Sequence, residues 1–370
     1  MNSKPVSVVI MAGGTGGHVF PALAVADELK LKGARLSWLG TKAGIEAELV
    51  PANDIELRFL TIEGVRGKGI KSLLKAPILL CRAIWQAKNI LQHEQADVVL
   101  GMGGFASGPG GVAARLLNIP VVIHEQNAVA GTTNKLLSKI ASVRLEAFPH
   151  SLVNAVHVGN PVRKNIAADV NMEATPASND EAKSVLNLLV LGGSLGAKAL
   201  NDLLPQVLAH MPINVRPSVR HQCGKKHTES SRKVYEQLDV KASVEPFIAD
   251  MAQAYHWADF VVCRAGALTV SELTMAGKAA LLIPYPYAID DHQAMNAQWL
   301  VDNKAALVCR QEKLSVEYMK SILSDMTANR EKLAAMASNA RKLALPDSAK
   351  IVAQCCLDAA KPELEKVAHE

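Results

Sequence analysis

No apolar stretch of this chain reaches the roughly 18 residues that a membrane-spanning helix needs, because Arg82 breaks the best candidate and Pro284 and Pro286 break the next. The first apolar run passes straight into glycines instead of a small-residue cleavage site. No signal peptide is therefore read, and the chain is expected to stay in the cytoplasm. The cysteines at 81, 223, 263, 309, 355 and 356 form no C-x-x-C pair and no ligand spacing, so reduced, mostly buried thiols are expected. No D-x-D occurs, and Asp291-His292 lacks a third ligand at a spacing that would complete a site, so no metal is expected. Excess charge is also slight. A net charge of +5 on 370 residues, 49% of them apolar and 20% charged, describes a soluble globular protein. Its length exceeds one ordinary core, and about two domains are expected.

What the chain does have is glycine in particular places. It is organised around Val6 to Glu28, VSVVIMAGGTGGHVFPALAVADE. Val6 to Met11 is a β-branched run suited to a buried parallel strand, and Val19 to Leu29 carries apolar residues at helical spacing. Between them Gly13, Gly14, Thr15, Gly16 and Gly17 leave so little side chain that a ligand can approach backbone N–H groups beside a helix start. That is an anion site, with His18 at its edge. A tight turn packing a helix on a sheet is the plainer reading, but four glycines in five residues exceed what a turn needs. A dinucleotide fingerprint fails because Val19 takes the last glycine position and the second strand, Arg35 to Leu39, runs into Gly40-Thr41 with no carboxylate. A P-loop fails at Gly224-Lys225 and Gly277-Lys278, which lack the earlier glycine and the following hydroxyl.

Strands at Arg35 to Leu39 and near Glu56 to Thr61 alternate with helical stretches, the mark of a parallel sheet wrapped by helices. Gly64 to Lys88 interleaves Arg66, Lys68, Lys71, Lys75, Arg82 and Lys88 with Leu73, Leu79 and Trp85. It reads either as a basic amphipathic surface for anionic lipid headgroups or as a helix whose leucines belong to the core. Nucleic acid is a weaker reading, since one aromatic gives little to stack bases on. A strand at Ala96 to Leu100 runs into a second glycine-rich loop, Gly101 to Gly111, which should open onto the same crevice. Val121 to His124 ends in Glu125-Gln126-Asn127, strand-end polar groups serving either function or buried hydrogen bonding. Ala167 to Ser184 is polar and acidic and reads as a linker. Leu186 to Leu191, then Gly192-Gly193-Ser194-Leu195-Gly196-Ala197, then a helix from about Lys198 repeat the opening pattern. Two similar α/β domains with a cleft for two substrates are expected. Ala258 to Cys263 leads to Arg264 to Glu272, where amides at Leu268 and Thr269 can cap a phosphate. Glu272 lies within reach of a sugar diol, or else is a capping-box partner for Thr269. Beyond Pro346, Ser348 to Ala360 forms a last amphipathic helix.

GGTGGHVFPALA at 13–24, GMGGFASGPGG at 101–111, HEQNAVAGTTNK at 124–135, GNPVR at 159–163, GGSLGA at 192–197, RAGALTVSE at 264–272 and DDHQAMNA at 290–297 resemble, in order, the motifs of the bacterial peptidoglycan glycosyltransferases of family 28. The resemblance covers nearly the whole chain. It implies an α/β GT-B fold of two Rossmann-like parallel-sheet domains facing across a cleft. Residues 1–163, completed by a C-terminal helix at 347–370, would bind acceptor and membrane, and residues 164–346 would bind the UDP-sugar. The implied reaction is inverting transfer of N-acetylglucosamine from UDP-N-acetylglucosamine to the MurNAc 4-hydroxyl of undecaprenyl-pyrophosphoryl-MurNAc-pentapeptide (lipid I), giving lipid II. The implied location is the cytoplasmic face of the inner membrane, with anionic lipids and other cell-wall synthesis proteins as partners.

Carried over by position, the donor site comprises Thr15, Gly16, Gly17, Asn127, Arg163, Ser194, Ile248, Ala267, Leu268, Thr269, Val270, Ser271, Glu272 and Gln293. Glu272 would hold the ribose hydroxyls, the Ser194 and Leu268-Thr269 turns the pyrophosphate, and Asn127 and Gln293 the sugar, with Phe247 closing over the nucleotide. Gly13, Gly14, Gly103 and Gly104, with Asn134, would receive the acceptor and its pyrophosphate. Membrane contact would fall to Lys68, Lys71, Lys75, Leu79, Arg82 and Trp85. Inversion by direct displacement needs a base and a positive environment for departing UDP. His18 is the first candidate base, its pKa expected to fall near a helix N-terminus; Glu125 is the second, oriented by His124. No cofactor or divalent ion is expected. A nucleotide-sugar sensor without turnover, a glycolipid synthase acting on diacylglycerol and a nucleotide-sugar epimerase are the competing readings.

Overall fold

The computed structural model describes residues 4–61, 69–168, 185–193 and 196–361. The chain divides into two units, residues 1–163 with 347–370 and residues 164–346. Unit 1 runs β1 (Ser7–Met11), α1 (Gly16–Leu31), β2 (Arg35–Gly40), α2 (Glu46–Leu49), β3 (Glu56–Phe59), α3 (Gly69–His93), β4 (Val98–Gly101), α4 (Ser107–Leu116), β5 (Val121–Glu125), α5 (Thr132–Leu137), β6 (Val143–Glu146) and β7 (Val156–His157). Unit 2 runs α6 (Lys164–Ala168), β8 (Asn187–Leu191), α7 (Lys198–Ala209), β9 (Ser218–Gln222), α8 (Thr228–Gln237), β10 (Ser243–Glu245), α9 (Met251–Trp257), β11 (Phe260–Cys263), α10 (Ala267–Ala276), β12 (Ala279–Leu282), α11 (His292–Asp302), β13 (Ala306–Val308), α12 (Val316–Ala328) and α13 (Arg330–Lys342). The chain then returns to unit 1 as α14 (Ser348–Ala359), which packs along α1 and against β4 and β5. Ser348 Oγ fixes its start by donating to Val158 O at 2.6 Å.

Both sheets are parallel throughout. Their orders are β3-β2-β1-β4-β5-β6-β7 and β10-β9-β8-β11-β12-β13, so the order reverses between β1 and β4 and again between β8 and β11. Helices cover both faces of the first sheet, which is why β1 is apolar from Val8 to Met11 rather than alternating. Val8 and Ile10 enter the core under α1 and α14, while Val9 and Met11 enter the core that includes Ala87 and Leu91 of α3.

Two expectations change in the structure, and one open reading divides. Helix α1 begins at Gly16, so Gly16, Gly17 and His18 form its first turn rather than the loop before it. The second glycine loop ends at Ala106, and Gly108, Gly110 and Gly111 lie inside α4. They are there for close packing: a Cβ on Gly110 would strike Met11 Sδ, and one on Gly111 would lie 2.6 Å from Leu137 Cδ2. On α3 the leucines do not all belong to the core. Ala83, Ala87 and Leu91 face inward at four-residue spacing, whereas Ile78, Leu79, Leu80 and Trp85 are 73%, 43%, 46% and 65% exposed, beside exposed Arg82. Lys68, Ser194, the side chains of Lys71 and Lys75, and 169–184 of the expected linker lie outside the described residues. Among those described, no helix is long and apolar enough to cross a membrane.

Candidate functional site

In an open parallel sheet ligands bind at the carboxyl ends of the strands where the strand order reverses. In unit 1 that point lies between the loops after β1 and β4. The two loops touch backbone to backbone: a Cβ on Gly104 would sit 2.5 Å from Gly13 O, so only glycine fits. Gly103 (φ +95°) lies against His18, its ideal Cβ position 3.0 Å from His18 Nε2 and 3.6 Å from Gln126 Oε1. His18 Nδ1 lies 3.3 Å from Gly13 O. A carbonyl only accepts, so Nδ1 carries the proton in this contact. Phe105, 54% exposed beside Gly104, is an aromatic at this edge that motif spacing did not single out.

Glu125 does not have the geometry of a base. Its Oε1 accepts from Asn127 N at 2.9 Å and Asn127 Nδ2 at 3.3 Å, and its Oε2 from Gly131 N at 3.1 Å and Asn134 Nδ2 at 2.9 Å. A carboxylate has about four lone-pair sites, and all are taken. With 2% exposure, Glu125 fixes the 126–134 loop instead. Asn134 is corrected with it: it is 3% exposed, and its Nδ2 also donates to His124 O at 3.1 Å, so it braces the loop rather than facing an acceptor. His124 is wholly buried, with Gln126 Nε2 donating to its Nδ1 at 3.1 Å and its Nε2–H donating to Gly159 O at 2.9 Å. Burial pushes its pKa down to about 4, against the raising effects of the Gly159 carbonyl and the Glu125 and Glu146 carboxylates. His124 is therefore neutral at pH 7, and it bonds Gln126 and Gly159 rather than orienting Glu125. Arg163, expected at the donor, lies over the Phe20 ring at 5.0 Å, tied to α1.

One residue escaped the sequence reading altogether. Glu46 is wholly buried, and its carboxylate accepts from Gly14 N at 2.9 Å, Thr41 N at 3.0 Å and Thr41 Oγ1 at 2.8 Å. The Gly14 amide, expected to serve acceptor phosphate, is occupied by this side chain. Gly13, Gly40 and Gly44 make room for it, since a Cβ on any of them would overlap Glu46. Thr15 and Gly14 stay exposed at the tip.

In unit 2 the corresponding edge carries the loops after β8, β9, β10, β11 and β12, and with them Phe247, Ile248, Ala267 to Glu272 and Gln293. Gly266 is the N-cap of α10, so Ala267, Leu268 and Thr269 occupy its first turn, where N–H groups have no intrahelical partner. That start removes the capping-box reading of Glu272, which lies inside the helix, 4% exposed, with the Tyr255 hydroxyl donating to its Oε2 at 3.1 Å. Ile248, Ala267 and Val270 are 2%, 6% and 0% exposed. Their side chains are core, which leaves only backbone groups at these positions to face a ligand. Phe247 is 48% exposed. Gln293 Oε1 accepts from Tyr285 N at 2.9 Å, which turns its amide N–H groups the other way. Asp290 and Asp291 have φ of +52° and +51°, a strained pair held by a two-point contact of Asp291 with Arg310 at 2.8 and 2.6 Å. The arginine holds the Asp291 carboxyl below its ordinary range. Among the described residues no three His, Cys, Asp or Glu side chains converge as metal ligands.

The loop after β8 rests on a buried polar chain. Gln222 Nε2 donates to Gly193 O at 3.1 Å, and Gly193 N donates to Gln222 Oε1 at 3.2 Å. Asn201 Nδ2 donates to Cys223 O at 3.0 Å, and His221 joins Asn201 Oδ1 at 3.0 Å to the Tyr235 hydroxyl at 2.9 Å. Burial pushes the His221 pKa down to about 4 and the Tyr235 phenol up.

Two parallel sheets of one Rossmann-like strand order, each with a glycine loop and a helix start at its reversal point, are the architecture of the GT-B fold. The glycosyltransferase family 28 N-terminal domain matches residues 8–143 and the family 28 C-terminal domain matches residues 187–352, and the chain belongs to that family. It is 53% identical over 365 residues, 96% of this chain and 99% of the relative, to a UDP-N-acetylglucosamine–N-acetylmuramyl-(pentapeptide) pyrophosphoryl-undecaprenol N-acetylglucosamine transferase of Cellvibrio japonicus. A protein of the same name from Pseudomonas fluorescens is 48% identical over 357 residues, 96% of this chain and 99% of that one. The crystal structure of Acinetobacter baumannii MurG superimposes with a TM-score of 0.81 at 40% identity, covering 96% of this chain and 100% of that one.

Proposed function

We propose that the protein transfers N-acetylglucosamine from UDP-N-acetylglucosamine to the MurNAc 4-hydroxyl of undecaprenyl-pyrophosphoryl-MurNAc-pentapeptide, inverting the anomeric centre and forming lipid II for peptidoglycan. The observation that carries this reading is identity of 53% across 96% of the chain with a relative named for that transfer. His18 Nε2 takes the proton of the acceptor hydroxyl, whose oxygen attacks the anomeric carbon from the face opposite UDP. The bond from that carbon to the phosphate oxygen breaks, and its electron pair leaves with UDP. The N–H groups of Leu268 and Thr269 at the start of α10 meet the charge that develops on the diphosphate, so the step requires no divalent ion. Glu272 accepts from the ribose hydroxyls, and Gln293 donates to the sugar. Asn127 is held for the sugar by Glu125. The Gly103-Gly104 loop receives the acceptor's diphosphate.

The exposed Ile78, Leu79, Leu80 and Trp85 of α3, with Arg82, rest on anionic lipid at the cytoplasmic membrane face, where a lipid-linked acceptor must be met. The deciding experiment supplies UDP-N-acetylglucosamine with and without lipid I. UDP release that depends on the lipid acceptor, with disaccharide formed on it, is expected. Release without acceptor, or transfer to diacylglycerol alone, refutes the proposal.

A further inference from the structure

Behind the turn at Gly103 a chain of buried polar groups runs to the edge of the His18 ring. His124 Nε2–H donates to Gly159 O at 2.9 Å, which leaves His124 Nδ1 as an acceptor. Gln126 Nε2 donates to that nitrogen at 3.1 Å and to His124 O at 3.0 Å. Both amide hydrogens are thereby spent on acceptors, so the side chain cannot be turned end for end, and Oε1 is the end left facing Gly103. Among the described residues nothing donates to that oxygen, although Gln126 is 1% exposed and the atom itself is sealed from solvent. The position that a Cβ on Gly103 would take lies 3.0 Å from both Nε2 and Cδ2 of His18 and 3.6 Å from Gln126 Oε1. With only a hydrogen there, the glycine lets the amide carbonyl and the Nε2–Cδ2 edge of the imidazole approach one point. Nδ1, across the ring, is turned to Gly13 O at 3.3 Å.

A buried acceptor left without a donor costs folding free energy, so its retention calls for a use. That use comes when the neighbouring ring is charged. The negative end of a carbonyl dipole attracts positive charge, and where water is shut out the attraction is weakly screened. As the acceptor's O–H bond breaks and an N–H bond forms at His18 Nε2, the imidazolium takes up that charge with Gly13 O on one side and Gln126 Oε1 on the other. We infer that Gln126 is a positioning residue for the transfer: its side-chain carbonyl, fixed toward His18 by His124 and Gly159, stabilises the imidazolium that forms with the acceptor's proton. His124 serves by staying neutral, since a proton on its Nδ1 would displace the Gln126 amide. The inference rests on the reading that His18 is the base.

The test is a double-mutant cycle on the full chain, read as the single-turnover rate of transfer from UDP-N-acetylglucosamine to lipid I at saturating concentrations. Gln126→Met removes the carbonyl from a side chain of similar shape. Alone it is expected to slow transfer at least about tenfold, with the half-saturating concentrations of both substrates within about twofold of the parent. In a His18→Ala background the same change is expected to slow transfer less than about twofold, because no imidazolium is left to stabilise. A loss of the same factor in both backgrounds means that Gln126 only supports the loop and overturns the inference, as does a methionine variant as fast as the parent. If Gln126→Met does not fold, Gln126→Asn, which draws the carbonyl back by one methylene, runs the same cycle under the same criterion. Near-normal transfer by His18→Ala alone would instead sink the reading of His18 as base, before Gln126 is changed.

Discussion

Acid should loosen unit 2 through one buried histidine. His221 is 0% exposed between Asn201 and Tyr235, and burial lowers its pKa from 6.5 to about 4. The folded state therefore binds fewer protons than the unfolded chain between those values, so stability falls as pH drops through 6.5 and levels off below 4. The full effect is roughly 3 kcal/mol at about 1.4 kcal/mol for each pKa unit, and about 2 kcal/mol of it is already lost at pH 5 relative to pH 7. Hydrogen exchange followed by mass spectrometry reads the opening free energy of β9 directly. Its protection is expected to fall about thirtyfold from pH 7 to pH 5 after correction for intrinsic exchange. His221→Asn should be less stable at pH 7 but should lose that pH dependence. A parent β9 whose opening free energy is the same at both pH values refutes the reasoning, as does an asparagine variant that keeps the drop. The loop after β8 shares the effect because Gln222, which clamps Gly193, is the next residue.

Replacing His18 by Ala should lower kcat by about two to four orders of magnitude with donor KM little changed, and near-normal turnover at saturating substrates would reject its role as base. Glu125→Gln should cost about 2–4 kcal/mol in urea unfolding, because an amide nitrogen would face donors that the carboxylate now accepts; unchanged stability with lost turnover would restore Glu125 as a base. Neutralising Lys71, Lys75 and Arg82, with Trp85→Ser added, should reduce flotation with vesicles containing anionic lipid, and unchanged recovery would remove α3 from the membrane reading.

The strands, helices and glycine loops were legible because their signals are local. β-branched runs mark strands buried on both faces, and Gly13-Gly14 and Gly192-Gly193 mark the turns after β1 and β8. What could not be read was which polar side chain bonds which backbone, since those partners lie across loops. Glu125 in sequence is a strand-end acid like any catalytic carboxylate; only the convergence of Gly131 and Asn134 on its second oxygen shows it to be structural. Gly110 and Gly111 looked like loop because glycine is scarce in helices, yet each is required by a side chain from elsewhere, Met11 or Leu137. Glu46 sits on a four-residue helix with no hydrophobic period and passes for surface. The signal was present but distributed: Gly13, Gly40 and Gly44 each lack a Cβ where this one carboxylate lies. Three glycines cleared around one acid mean that the acid's position matters more than their own backbone freedom. Substituting Gly44 with Ala should therefore displace Glu46 and release the Gly14 amide, read as faster hydrogen exchange at Gly14 N–H, and unchanged exchange there would refute the role given to Glu46.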